Sequence, residues 1–397
     1  MSEISNTIEQ RANILAEFMI RLINGENGAQ LVKDLDILNI KFIPKDILPA
    51  FDLVMEQVNY IQKVKVVSNK LFNLLYQILK SYPALEPREN SLLYFIRKDN
   101  EKIDAFLQDI RPILKDYTKN RKDETRQILL EKFRTLQNLN KHYSLLQNII
   151  FPIAEKHWPN HKCLQLLWYI QDIVVDKLKK LVKILSATEP DFDTMFKISA
   201  EVFFDAYTLI FRENHVLIPV LLETVDTTKI DANFEQASEI GLTFVTLPEI
   251  STTSTKQTDI TDKTIDLGTG YLTPEQIALI FRHLPLDITY VDENDEVKFF
   301  SDSPDRAFPR TRAIIGRKVQ NCHPPDSVHI VNKIVDEFRK GTRNKASFWI
   351  HFKDKYLLIQ YFAVRDKQGN YRGVLEVTQD IADIQKISGE KRLLDWE

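Results

Sequence analysis

Residues 316–341 read GRKVQNCHPPDSVHIVNKIVDEFRKG. A Gly-Arg pair leads into a turn at His323-Pro324, and a long helix runs from Ser327 to Gly341. Short helical pieces carry RAFPRTRAIIGRKV (306–319) just before it. Further upstream lie a helix, PEQIALIFRHL (274–284), a strand, DITYVDE (287–293), the turn Glu293-Asn294-Asp295, and a second strand, VKFFS (297–301). Downstream come three more strands: NKASFWIHFK (344–353), KYLLIQYFAVRD (355–366) and YRGVLEVTQD (371–380). The last two are joined by Lys367-Gln368-Gly369-Asn370, a good hairpin turn. Two strands, helices and three antiparallel strands in about 110 residues predict an α+β unit whose sheet has one face covered by helices. Such a unit encloses a small cavity where the helices pack over that face.

The chain ahead of this unit has a different texture. Glycine is scarce up to residue 224, and apolar positions recur every three or four residues over 8–24, 28–38 and 45–82, punctuated by Pro44 and Pro83. Four longer segments follow at 88–118, 123–150, 164–187 and 192–224. They are separated by charged residues around Asn120, by Pro159 and by Thr188–Pro190. Four such helices with short connections predict an antiparallel bundle. Residues 226–271 hold the Thr-, Ser- and Asp-rich STTSTKQTDITDKT, which reads as a linker, with one short strand at Gly241–Leu247. The expected division is a helical domain over 1–83, the bundle over 84–225, the linker, the α+β domain over 272–385 and a C-terminal helix over 386–397.

The 397 residues are enough for two or three domains, and 44% hydrophobic with 27% charged residues is the composition of a folded protein. A net charge of −3 argues against a polyanion-binding surface, and the local lysine clusters read as solvated helix faces. Cys163 and Cys322 alone exclude a disulfide framework or a four-cysteine metal site. The N-terminus has no secretory pattern, and no apolar run is long enough to cross a bilayer, so a cytoplasmic protein without membrane or nucleic-acid partners is expected. Phosphate-cradling glycine loops, HExxH, GxSxG and kinase signatures are all missing, so no catalytic activity is expected.

The order of elements in the C-terminal half resembles the PAS fold. The Gly-Arg pair, the His-Pro turn and the long helix of 316–341 are similar to one PAS stretch, and VTQDIADIQK (377–386) resembles a PAS exit sequence. LPLDITYVDENDEVKFFS (284–301) and AFPRTRAIIGRKVQNCHPP (307–325) resemble a PAS subgroup that follows a helical domain of unknown function and a hemerythrin-like (HHE cation-binding) bundle. EQASEIGLTFV (235–245) and IDLGTGYLTPEQI (265–277) fit the same architecture.

That resemblance implies a di-iron site held by histidines and carboxylates from all four helices, and the matching positions are mostly changed. The first motif falls on Tyr94 in LYFIRKDN, where no histidine stands. The second keeps His142-Tyr143 and Phe151-Pro152 but has Leu146-Gln147 at its carboxylate. The third falls on Trp168 with Gln171-Asp172, and the fourth on Glu213-Asn214 and Pro219. Helical spacing puts His142 in line with Leu139 and Leu146, Gln171 with Leu167 and Val174, and Glu213 with Ile210 and Leu217. These polar groups are expected to face one core, where they either satisfy one another or hold one metal ion on His142, Asp172 and Glu213. A di-iron centre is under-supplied.

Within the α+β domain, a ligand would lie between sheet and helices, with Phe299, Phe308, Ile330, Trp349 and Tyr361 as lining candidates, alongside Ile314, Ile334, Ile359 and Leu375. His329, on the long helix where some PAS domains place a heme ligand, makes heme a hypothesis, and His323 reads as the cap of its turn. The expectation is therefore a PAS-containing sensory or regulatory protein that binds a small molecule or a protein partner. It would be a homodimer through the flanking helices 273–284 and 381–395. The alternatives are a metalloprotein responding to oxygen, nitric oxide or iron through its bundle, and a ligand-free scaffold, favoured by a tightly packed PAS core.

Overall fold

A computed structural model describes residues 7–58, 60–248, 264–304 and 306–390, and the chain divides into two units, residues 1–250 and 251–397. The first unit is helical: α1 (Ile8–Ile23), α2 (Gly28–Leu38), α3 (Pro44–Gln57), α4 (Ile61–Lys80), α5 (Leu92–Asn120), α6 (Asp123–Leu136), α7 (Leu139–Leu145), α8 (Phe151–His157), α9 (Lys162–Ser186), α10 (Phe192–Arg212), α11 (Ile218–Thr224), α12 (Thr227–Asp231) and α13 (Phe234–Ile240). Side-chain oxygens set several starts. Thr7, Ser91 and Asp191 accept the N–H groups that α1, α5 and α10 leave unpaired at their first turns. Single π turns, Leu146–Ile150 and Glu213–Leu217, join α7 to α8 and α10 to α11.

Apolar residues three and four apart give each long helix a buried stripe, such as Ile96, Ile103, Leu107 and Ile110 on α5 or Ile170, Val174, Leu178 and Leu181 on α9. The helix α5 packs on α6 and α10, and α9 packs on the same two, so four rods close around one core. The first helices do not stand apart from them: α3 and α4 pack on α9, and Lys65 of α4 pairs with the buried Asp205 of α10 at 2.8 Å. Two expectations are corrected. The helix expected over 45–82 is two, because the backbone is extended at Val58, and α1 packs against both pieces. The stretch 226–248 is not linker. It forms α12 and α13, buries Phe234, Leu242 and Leu247, and has coil where a strand was expected at 241–247. The Ser/Thr-rich 251–263 and the final residues 391–397 lie outside the described residues.

The second unit begins with a short hairpin of β1 (Ile265–Asp266) and β2 (Tyr271–Leu272), followed by α14 (Pro274–His283). Thr273 and Gln276 form a capping box at the start of α14. Strands β3 (Asp287–Asp292), β4 (Val297–Phe300), β5 (Lys345–Phe352), β6 (Lys355–Arg365) and β7 (Tyr371–Asp380) make one antiparallel sheet in the order β4-β3-β7-β6-β5. Val291, Val297, Ile314, Val335, Phe338 and Val374 form its core under α15 (Pro325–Lys340). This agrees with the antiparallel five-strand sheet and its single helix-covered face.

Gly373, where β7 crosses β3, has φ +127°, and a Cβ there would lie 2.0 Å from the Val291 carbonyl oxygen. Gly373→Ala is therefore expected to destabilise this unit by more than about 2 kcal/mol through clash and backbone strain. Urea-dependent hydrogen exchange of the β3 and β7 amides in the full chain checks it; a transition unchanged by the substitution would refute the clash.

Candidate functional site

In the second unit, pairing fixes which side chains face the helices. Val374, Glu376 and Thr378 of β7 lie opposite Val291, Thr289 and Asp287 of β3, and all share the face that carries the core. On β6 the same face holds Ile359, Tyr361 and Ala363. Between it and α15 sits a cavity of about 30 Å³, lined by Val291, Val331, Ile334, His323, Tyr361 and Glu376. Its polar groups are ordered. The Tyr361 hydroxyl donates to Glu376 Oε1 at 3.3 Å, and burial together with the Glu376 charge raises its pKa. His323 Nδ1 donates to the Val319 carbonyl at 2.9 Å, which leaves Nε2 as the acceptor, and burial lowers the pKa of the ring. The space equals the share of one water in liquid.

The helical unit holds a second constellation, made of charge. His142 on α7 is fully buried, with Nδ1 2.9 Å from Asp99 Oδ2 and Nε2 2.9 Å from Glu213 Oε2. Burial alone would lower the imidazole pKa. The Glu213 charge and the bonds to Asp99 and Glu213 outweigh it and hold the ring at about 10, so it is an imidazolium that donates from both nitrogens. Burial pushes the Asp99 carboxyl up, but His142 and the backbone N–H groups of Phe244 and Thr243 bring it below its ordinary value. Asp99 accepts three consecutive N–H groups, from Thr243, Phe244 and Val245, at 2.7–3.0 Å. Asn100 donates to Glu213 Oε2 and to Asn214 Oδ1, both at 3.0 Å.

Comparison with known proteins decides the fold family of the second unit: residues 277–382 match a family model described as PAS domain. These residues form a PAS domain. Its fold is similar to that of a crystallised C-terminal domain from Streptococcus mutans, at 38% identity over 31% of this chain and 96% of that one, with a TM-score of 0.30. It is also similar to a PAS domain of a protein from Colwellia psychrerythraea, at 17% identity over 28% and 97% of the two chains, TM-score 0.23. A third is the PAS domain of BvgS from Bordetella pertussis, at 15% identity over 28% and 90%, TM-score 0.24. The comparison with curated proteins finds no match.

Of the residues proposed to line the PAS pocket, the structure places His323, Ile334 and Tyr361 on the cavity, and not Phe299, Phe308, His329, Ile330 or Trp349. Phe299 faces outward on β4, its ring 5.0 Å from Phe281 of α14. Phe308 stacks on Phe352 in a separate cluster with Ala307 and Leu357. Ile330 and His329 are exposed on α15, and Trp349 on β5 is 63% exposed. A heme does not fit: its proposed ligand faces solvent, and cofactor pockets need some 300 Å³ or more. Glu376, which sequence reading missed, sits at a strand position whose inward direction only the pairing reveals.

In the helical unit, His142 and Glu213 do come together. The carboxylate that joins them is Asp99, not Asp172, which is half-buried on α9. Gln171 is buried and accepts from Gln147 Nε2 at 3.0 Å. Both nitrogens of His142 are taken by carboxylates, and among the described residues no three His, Cys, Asp or Glu side chains gather as a metal ion requires. A single-ion site on His142, Asp172 and Glu213 is therefore not formed. Asp99 and Asn100 were missed in the sequence; the signal that marks them is that they interrupt the apolar stripe of α5 between Ile96 and Ile103.

The histidine titration has a definite sign. Its folded pKa is raised above the ordinary value of about 6.5, so its stabilisation is complete below about pH 6.5 and lost as pH rises through about 10. The His142→Ala variant is expected to lose roughly 3–5 kcal/mol, because it leaves two buried carboxylates unpaired. That difference, measured by urea unfolding, should be largest near pH 6 and shrink towards pH 10. A difference flat over this range would mean a neutral ring.

Proposed function

We propose that the chain is a cytoplasmic regulatory protein that acts by association and carries no catalytic chemistry of its own. Its PAS domain pairs with a second copy through the outer face of the sheet. The observation that carries this reading is the apolar character of that face. Trp349 on one edge strand, Phe299 on the other, and the α14 residues Leu279 and Ile280 are all exposed large apolar side chains. The cavity under α15 supports association over ligand sensing, since it has room for one water and not for a small-molecule ligand.

The same reading takes the rods from 92 to 224 as a hemerythrin-like bundle that has exchanged metal ligands for an internal charge cluster. Support comes from the four-rod ring and from the inward placement of His142, Gln171 and Glu213, the positions matched to three of the four ligand motifs. The alternative, a metalloprotein responding to oxygen, nitric oxide or iron, is disfavoured by this geometry, in which both imidazole nitrogens face carboxylates at 2.9 Å.

Sedimentation equilibrium of the full chain tests the association. The wild type is expected to be a dimer, and Trp349→Asp a monomer with the same thermal melting profile. A monomeric wild type, or a dimer indifferent to the substitution, would reject pairing through this face.

A further inference from the structure

Beyond the PAS domain and the buried charge cluster, the helical unit carries a groove of about 480 Å³ where α4, α5 and α10 meet. That volume falls in the range of small-molecule sites, about 300–1,000 Å³. Its walls are aromatic. Tyr76 stacks on Phe211 at 4.9 Å between centroids, Phe72 meets Phe211 edge-on at 6.3 Å, and Phe203 lies 6.4 Å from Tyr207. Asn73, Thr208, Arg111 and the Tyr207 hydroxyl break the apolar lining. The guanidinium of Arg111 lies over the rings of Tyr207 and Phe203, at 4.8 and 6.0 Å, and has no carboxylate or hydrogen-bond partner among the described residues. The Asp104 charge acts on Tyr207, but its carboxylate accepts from Gln108 at 2.7 Å. The Tyr207 hydroxyl oxygen is shielded from solvent and also lacks a partner.

The Tyr207 hydroxyl is shielded and without a partner, and beside it the exposed Arg111 cation stands at the mouth of an aromatic cleft with no ion pair among the described residues. We infer that this groove binds a small aryl carboxylate, its ring against Phe203, Phe211 and Tyr76 and its carboxylate between Arg111 and the Tyr207 hydroxyl. The rings hold the guanidinium in place before the ligand arrives, so the charge-assisted bond forms with little loss of side-chain freedom.

The test is isothermal titration calorimetry of the full chain with 2-naphthylacetate and with 2-naphthaleneethanol, its neutral counterpart. One carboxylate should bind per chain, about ten-fold or more tighter than the alcohol, the ratio expected of one charge-assisted hydrogen bond. Arg111→Met keeps an unbranched apolar stem, and it should abolish that preference while leaving the thermal melt unchanged. Tyr207→Phe should weaken the carboxylate a few-fold. Equal binding of acid and alcohol, a preference that survives Arg111→Met, or no binding of the acid would overturn the assignment. In the first case the groove is a plain apolar surface, of the kind that takes a helix of a partner protein.

Discussion

The helical unit is organised around an imidazolium held between two carboxylates and shielded from solvent. His142 sits on α7, Asp99 on α5, and Glu213 at the π turn after α10, so this one cation joins three of the four rods. Desolvating three charges is costly, and further donors to Asp99 and to Glu213 Oε2 offset part of that cost, while Glu213 Oε1 is left buried without a partner among the described residues. Asn100 takes up part of Glu213, and three backbone N–H groups take up the rest of Asp99. A core of this kind constrains register more than it adds stability, because a one-residue slide of any rod would strand a charge. Its reach extends past the bundle, since the segment 243–245 is held in place by the same carboxylate.

The PAS unit solves a different problem. Its inner sheet face carries the apolar core, and at one spot Tyr361, Glu376 and His323 line a small cavity. Its outer face carries Trp349 and Phe299 in the open. The inner face thus keeps a small polar cluster within an apolar core, and the outer face leaves two large apolar side chains exposed.

Much of this was readable in the chain. The order of strands and helices after residue 274 follows from alternation and turn residues, and the long helices from apolar spacing. What escaped reading did so for definite reasons. Strand periodicity gives two faces without saying which is inward, so Phe299 and Trp349 were placed in a pocket whose other side they occupy. The break at Val58 carries no glycine or proline. Residues 226–248 look polar enough for a linker, yet fold because Asp99 supplies an anchor more than a hundred positions away in sequence. The charge cluster was half visible: His142 and Glu213 stood out from the ligand motifs, while Asp99 stood only in an apolar stripe.

The two π turns bear on how this chain should be aligned with any other helical bundle. Each holds one residue more than an α-helical turn would, and each is followed directly by a proline-containing helix start, at Phe151-Pro152 and Ile218-Pro219. In a relative whose rods are plain α-helix, positions beyond 150 and beyond 217 would each be offset by one. An ungapped alignment would then rotate every later side chain by about 100° around its rod and match core residues to surface ones.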